Sequence, residues 1–241
     1  MSNSLDNQDD RLTMKVEGVD FVMIKVYPGE FFMGADKEEM FCSWERPKHK
    51  VTLTRPFYIG QTVVTQELYQ AVTGNNPSHF KGKNLPVEGL NYHDAKYLCA
   101  ILTILTNRRF ELPTEAQWEY AARGGHLAPF VQTIYSGSNN IDEVAWYDDN
   151  YKGSLHAVAE KKPNNLGLYD MTGNIWEWCL DLWRKYEESP IIDPFGDGRY
   201  AKHVSRGGCI FSKAEHCRIA YRSRSDVTSA VGPVGVRLVM Y

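Results

Sequence analysis

The chain has 241 residues, 43% of them hydrophobic and 24% charged, and a net charge of −3 at pH 7. These values lie in the ordinary globular range and point to one domain with one core. Lys and Arg are scattered without a basic run, which argues against nucleic acid as a partner, and no apolar stretch is long enough to cross a membrane.

The opening MSNSLDNQDDRL is polar and acidic and lacks the positive flank and apolar run of a secretory signal. Residues 1–17 are expected to form a flexible arm, and residues 18–241 the folded domain. Phe21 to Val26 and Gly29 to Gly34 are β-rich, bounded by Pro28 and Gly34, and read as two strands joined by a turn. Lys50 to Leu53 and Phe57 to Ile59 continue the strand signal. A short helix is expected from about Thr65 to Val72, closed by Gly74-Asn75-Asn76-Pro77. After Asn91, Ala95, Leu98, Leu102 and Leu105 fall at three- and four-residue spacing, which predicts a longer helix with one buried stripe. In Thr114-Glu115-Ala116-Gln117, Thr114 can cap a helix while Gln117 reaches back, and Gly124 supplies a stop after Arg123.

Beyond Gly124, Gly, Asn, Asp, Ser and Trp dominate, and irregular structure around a few strands is expected. Trp146, Trp176, Trp178 and Trp183 read as core or rim packing around loops. Five cysteines, Cys42, Cys99, Cys179, Cys209 and Cys217, include no C-x-x-C pair, and the odd number leaves at least one thiol free. A reduced, cytoplasmic protein follows from that usage, although a secreted chain stripped of its signal reads the same way. The seven histidines show no metal-ligand spacing.

Six blocks stand in order along the chain. They are Pro28 to Gly34, Asn76-Pro77-Ser78 with Phe80, Leu85-Pro86-Val87, Leu112 to Gly125, Gly167 to Trp178, and Arg206-Gly207-Gly208 with Gly235-Val236-Arg237. Together they resemble the formylglycine-generating-enzyme (sulfatase-modifying-factor) family over nearly the whole chain. The resemblance implies an α+β fold of irregular C-type-lectin-like kind, with few short strands, about three helices and long loops.

Asp170 and Glu177 are carboxylates seven residues apart around a turn at Gly173. Calcium takes six to eight oxygens from carboxylates and carbonyls, so such a loop can enclose one; a solvated acidic pair flanking Trp176 is the alternative. The resemblance implies a structural calcium held by the side chains of Asp170 and Glu177 and the carbonyls of Gly173 and Ile175. A second family site, near Asp142–Trp146, is not carried over, because Val144 stands where an oxygen ligand is needed.

The family's oxidase holds copper with two cysteines five residues apart, shortly after an Arg-Gly-Gly-Ser segment, because soft thiolates grip Cu(I). Here Cys209 follows Arg206-Gly207-Gly208; counting forward puts Ser212 and Cys217 in the catalytic positions, and counting back from Arg222 puts the second on Ala214. Either count leaves at most one thiol. Cys209, Ser212 and Cys217 remain the catalytic candidates, and alternation along a strand would send Cys209 and Ser212 to opposite faces. Cys209 and Cys217 read as small buried groups, with a metal pair as the competing reading. His216, beside Cys217, reads as a surface residue.

A kept frame without its cysteine pair points to a pseudoenzyme: a non-oxidase scaffold that binds a protein or peptide ligand through the loop face of residues 205–235. Its candidate contacts are Ile210, Phe211, Ser212, Glu215, His216 and Arg224. Relatives of this kind include the variable proteins of diversity-generating retroelements, which bind through a C-terminal lectin-like surface. The competing reading is an enzyme, either a divergent copper-dependent formylglycine generator using Cys209 or Cys217 or another oxidoreductase on the same fold. Pairing with an active paralogue also stays open. Spacing singles out neither Asp181 with Glu187 nor Asp148 with Asp149 as an acid–base pair. Arg222 and Arg237 read as buried structural arginines, and Arg224 as able to meet an anionic ligand.

Overall fold

The computed structural model describes residues 10–36, 43–128, 131–196, 201–228 and 233–241. Strand β1 (Arg11–Val16) pairs antiparallel with β2 (Val19–Val26), Arg11 opposite Ile24 and Val16 opposite Val19. Glu17 and Gly18, both at positive φ, make the two-residue turn between them. Leu12, Met14 and Val16 alternate to give β1 an apolar face on the core. That face corrects the arm expected over residues 1–17: order is in place by Arg11. Residues 1–9 lie outside the described residues.

β2 also pairs with β5 (Phe57–Gly60), which pairs with β12 (Val239–Met240), which in turn pairs with β6 (Phe110–Glu111). The result is an antiparallel five-stranded sheet in the order β1-β2-β5-β12-β6. The expected hairpin of Phe21–Val26 with Gly29–Gly34 does not form. β3 (Gly29–Met33) pairs instead with β4 (His49–Leu53), and β4 takes β8 (Ile191–Ile192) in parallel. Neither Tyr27 nor Pro28 has the positive φ that a two-residue hairpin turn requires, so this link carries the chain on into a second sheet.

The third sheet orders β10 (Ser223–Asp226), β9 (Lys202–Arg206), β7 (Trp176–Leu182) and β11 (Val234–Gly235). The second half is therefore more regular than its loop-rich composition suggests. The strands among the described residues are mostly short, as expected of this α+β fold.

The helices follow their end signals. α1 (Gln66–Thr73) starts at Thr65, whose side chain accepts the N–H of Leu68, and stops at Gly74 in the left-handed region. α2 (Tyr92–Thr106) starts with a capping box between Asn91 and Asp94. Ala95, Leu98 and Leu102 are buried, but Leu105, expected in the same stripe, is 47% exposed because it stands in the last turn, off the core. α3 (Glu115–Ala122) carries the Thr114–Gln117 box. A fourth, single-turn helix, α4, spans Ile141–Val144. Two main cores lie between these elements, one around Trp118, Phe57 and Cys179 and one around α2, Leu112 and Trp178. Among the described residues the four cysteines are buried and free, and no helix is long and apolar enough to cross a membrane. Cys42 lies outside the described residues.

Candidate functional site

α3 places Glu115, Glu119 and Arg123 at four-residue spacing on one face. Arg222 grips Glu115 with two N–H groups, Nε at 2.6 Å and Nη2 at 2.7 Å. Arg206 donates to Glu119, whose other oxygen takes Arg123 from Nε at 3.0 Å and Nη2 at 2.7 Å. Burial by itself raises the pKa of Glu115, but Arg222 and Arg206 outweigh it and hold the carboxyl below its ordinary value. Asp181 accepts the N–H of Glu115 at the start of α3 and that of Gly196, each at 2.8 Å. Burial, and then Glu115, push Asp181 up to about 7. This network anchors the start of the Arg206-Gly207-Gly208 segment against α3. Arg222 and Arg237 are buried, as expected of structural arginines.

β9 ends at Arg206, and Gly207 and Gly208 take φ of 96° and 79°. The chain then turns: Ser212 N–H donates to the carbonyl of Cys209 at 2.9 Å, and Cys209 N–H donates to Ser212 Oγ at 3.0 Å. Cys209 Sγ lies 3.4 Å from Ser212 Oγ. The two side chains thus stand together, not on opposite faces, because the strand has ended before either residue. Cys217 packs under Gly208. Burial, and then Cys209, raise the Cys217 thiol far above its ordinary pKa, and burial raises Cys209 as well. Both are protonated at neutral pH. With at most one thiol in the catalytic positions on either count, the donor set does not fit the family's two-thiolate copper site.

The same turn sorts the candidate contact residues. Ile210 and Ser212 face inward and are buried, Ile210 among Val63, Leu155 and Ile175, so neither belongs to a contact surface. Phe211 is exposed, edge-on to Tyr151 at 5.4 Å. Glu215 and His216 are half-buried in a short 3-10 turn, Ala214–Cys217, with the His216 ring 4.8 Å from that of Tyr221. Arg224 is exposed over Trp183 and Trp44, at 4.9 and 5.6 Å. Residues 229–232 of the expected face lie outside the described residues.

In the loop before β7, Asp170, Gly173 and Asn174 all have positive φ, and a β-carbon on Gly173 would collide with the carbonyl of Trp146. Asp170 is buried, accepts the N–H of Ala159 at 2.8 Å, and is pushed up to about 6 by that burial. Glu177 is buried too, so the pair is not a solvated one. Its Oε2 accepts from Trp118 Nε1 at 2.7 Å and Arg237 Nε at 2.9 Å, and its Oε1 from Arg237 Nη2 at 2.8 Å. The oxygens suit calcium in kind. With Glu177 already matched by Arg237, the ion would rest on Asp170, the carbonyls of Gly173 and Ile175 and one remaining lone pair of Glu177, with water completing six. Among the described residues no three His, Cys, Asp or Glu side chains converge on a metal position.

A cavity of about 550 Å³ lies elsewhere. Its walls include Phe31, Phe32, Tyr120, Arg123, Ile134 and Ile219, and none of the six contact residues proposed above. Sequence reasoning missed it. The available signal was the Glu115-Glu119-Arg123 spacing, which puts an arginine at the end of an acidic helix face.

The family described as the sulfatase-modifying factor enzyme 1-like domain matches residues 14–241. The chain is 32% identical to the "Chaperone protein LppX" of Paenibacillus barcinonensis, over 78% of this chain and 81% of that protein. It is 38% identical to the formylglycine-generating enzyme of Streptomyces coelicolor, over 52% of this chain and 45% of the enzyme, so it spans about half that enzyme's length. Among solved structures, Treponema denticola variable protein 1 superposes with a TM-score of 0.87 at 30% identity, covering 95% of this chain and 98% of that one. PvdO from Pseudomonas aeruginosa shares the fold, with a TM-score of 0.80 at 24% identity over 95% and 97% of the two chains. The motifs, the α+β frame and these likenesses together place the chain in the formylglycine-generating-enzyme-like, sulfatase-modifying-factor family.

Proposed function

We propose that the chain is a non-oxidase member of its family, a binding scaffold for a protein or peptide ligand. The observation that carries this reading is the state of the catalytic segment: either count leaves at most one thiol in the catalytic positions, and Cys209 and Cys217 are buried, protonated thiols. A nucleophile or Cu(I) ligand must be a thiolate. The contact surface on this reading is Phe211, Glu215, His216 and Arg224, with Tyr221 and Trp176 beside them (ring centroids 6.0 Å apart). Phe211 and Arg224 are exposed, and aromatics and arginine are enriched in protein-binding surfaces. Likeness to a protein called a chaperone and to one called a variable protein supports a binding role. The loop from Asp170 to Glu177 is proposed to hold calcium as structural support. The test is a Cu(I) titration of the reduced protein against a chromogenic chelator, with disulfide-exchange labelling of native thiols. Neither strong copper uptake nor rapid labelling of Cys209 or Cys217 is expected; both together would overturn the reading.

One observation favours a second reading, a divergent copper-dependent oxidase. The backbone N–H of Cys209 lies against the Cys217 thiol, so the two cysteines do share one corner of the fold.

A further inference from the structure

We propose that the cavity between β3, the C-terminal end of α3 and residues 218–220 binds a small organic carboxylate with an apolar body, without using the contact residues of the loop face described above.

The cavity volume, about 550 Å³, lies within the range of small-molecule sites. Its apolar wall is aromatic and branched: Phe31 packs on Tyr120 at 5.2 Å, and Phe32 and Ile134 are 58% and 51% exposed at the rim. Ile219 closes the back.

Two of the polar side chains that reach this cavity, Tyr120 and Arg123, can donate to a ligand. Tyr120 lines the space, and its hydroxyl is not one of the fully buried polar atoms left without a partner among the described residues. A hydroxyl open to the cavity can donate to, or accept from, a ligand oxygen. Arg123 places Nε and Nη2 on Glu119 and on the carbonyl of Gly34, which leaves Nη1 without an acceptor among the described residues. A guanidinium fork with one arm open recognises a carboxylate in preference to an apolar tail.

Charge points the same way. The network behind the cavity contains three guanidiniums, of Arg123, Arg206 and Arg222, against two carboxylates, of Glu115 and Glu119. Asp181 borders it but is held largely neutral by burial below pH 7. Of the three arginines, Arg123 is the one that lines the cavity, so the surplus positive charge opens onto it. The other charges in the wall have partners: Lys48 has Asp36, Arg218 has Glu45, and Glu30 has Lys50. A ligand carboxylate beside Arg123 and Tyr120 would complete the balance, with its hydrocarbon against Phe31, Phe32 and Ile134.

The probes are naphthalene carboxylate and the neutral naphthalene carboxamide, titrated calorimetrically into the full chain. The carboxylate is expected to bind at least about tenfold more tightly than the amide. Tyr120→Phe, which removes only the hydroxyl, is expected to weaken carboxylate binding by about three- to tenfold. Phe32→Glu, on the exposed rim where folding tolerates it, is expected to abolish binding. No binding of either probe, equal binding of the two, or wild-type affinity in both folded variants would overturn the proposal. Each of those failures leaves the loop-face reading standing, because none of its contact residues lines the cavity.

Discussion

Cys217 sits so closely beneath Gly208 that a β-carbon on the glycine would come within 2.5 Å of the cysteine sulfur. The glycine is also at positive φ, so two independent constraints meet at one position. Gly208→Ala is expected to destabilise the fold by about 1–3 kcal/mol through backbone strain and overpacking. Urea unfolding measures it. A variant as stable as the parent would mean that the turn is loose and that Cys217 is less confined than described.

Arg237 and Glu177 form a buried pair in which Arg237 also donates to the carbonyls of Gly60 and Tyr169. Removing one member strands the other charge, so Arg237→Met is expected to cost about 3–5 kcal/mol. The double variant Arg237→Met with Glu177→Met is expected to recover part of that loss. Equal stability of the single and double variants would show that the pair is not coupled.

The end signals of α1, α2 and α3 were legible because capping chemistry is local: Thr65, Asn91 and Thr114 act on backbone N–H groups three residues ahead. The burial of Arg237 was legible for a different reason, as the motif Gly235-Val236-Arg237 carries it. What escaped the sequence depends on distant pairings. β3 joins β4 rather than β2, and β8 adds to β4 in parallel across more than a hundred residues, with nothing in either segment to name its partner. The meeting of Cys209 with Ser212 was hidden as well, because the strand's end at Arg206 breaks the alternation that set them on opposite faces. The cavity escaped for the same kind of cause: β3, α3 and residues 218–220 meet only in space.

Asp170 and Asp181 keep their protons in the fold to about pH 6 and about pH 7, against an ordinary value of 3.8. A raised folded pKa means that the folded state binds more protons than the unfolded state between those limits. The stabilisation is fully present below 3.8 and is lost as pH rises through 6 and 7. Each group is expected to contribute a fall in stability of up to about 1.4 kcal/mol per pH unit over its window. Carbon NMR of the two carboxyls checks this directly, and titration of both near 4 would contradict the burial argument.

Calcium bound through Asp170 competes with its proton. Added calcium is expected to raise the melting temperature at pH 7 and to do so less as pH falls below about 6. Asp170→Asn, which keeps one oxygen and removes the charge, is expected to weaken the effect. A melting temperature indifferent to calcium at every pH would remove the ion from the account and leave Arg237 as the cation of that loop.

The central claim is that the family's oxidase chemistry is absent. Its most direct test incubates the reduced protein with Cu(I), oxygen and a peptide carrying the Cys-x-Pro-x-Arg sulfatase signature, and follows the peptide by mass spectrometry. The account predicts that the cysteine stays unconverted. Copper-dependent formation of formylglycine that disappears in Cys217→Ser would contradict it, and would show that one protein thiol with the substrate's own is enough.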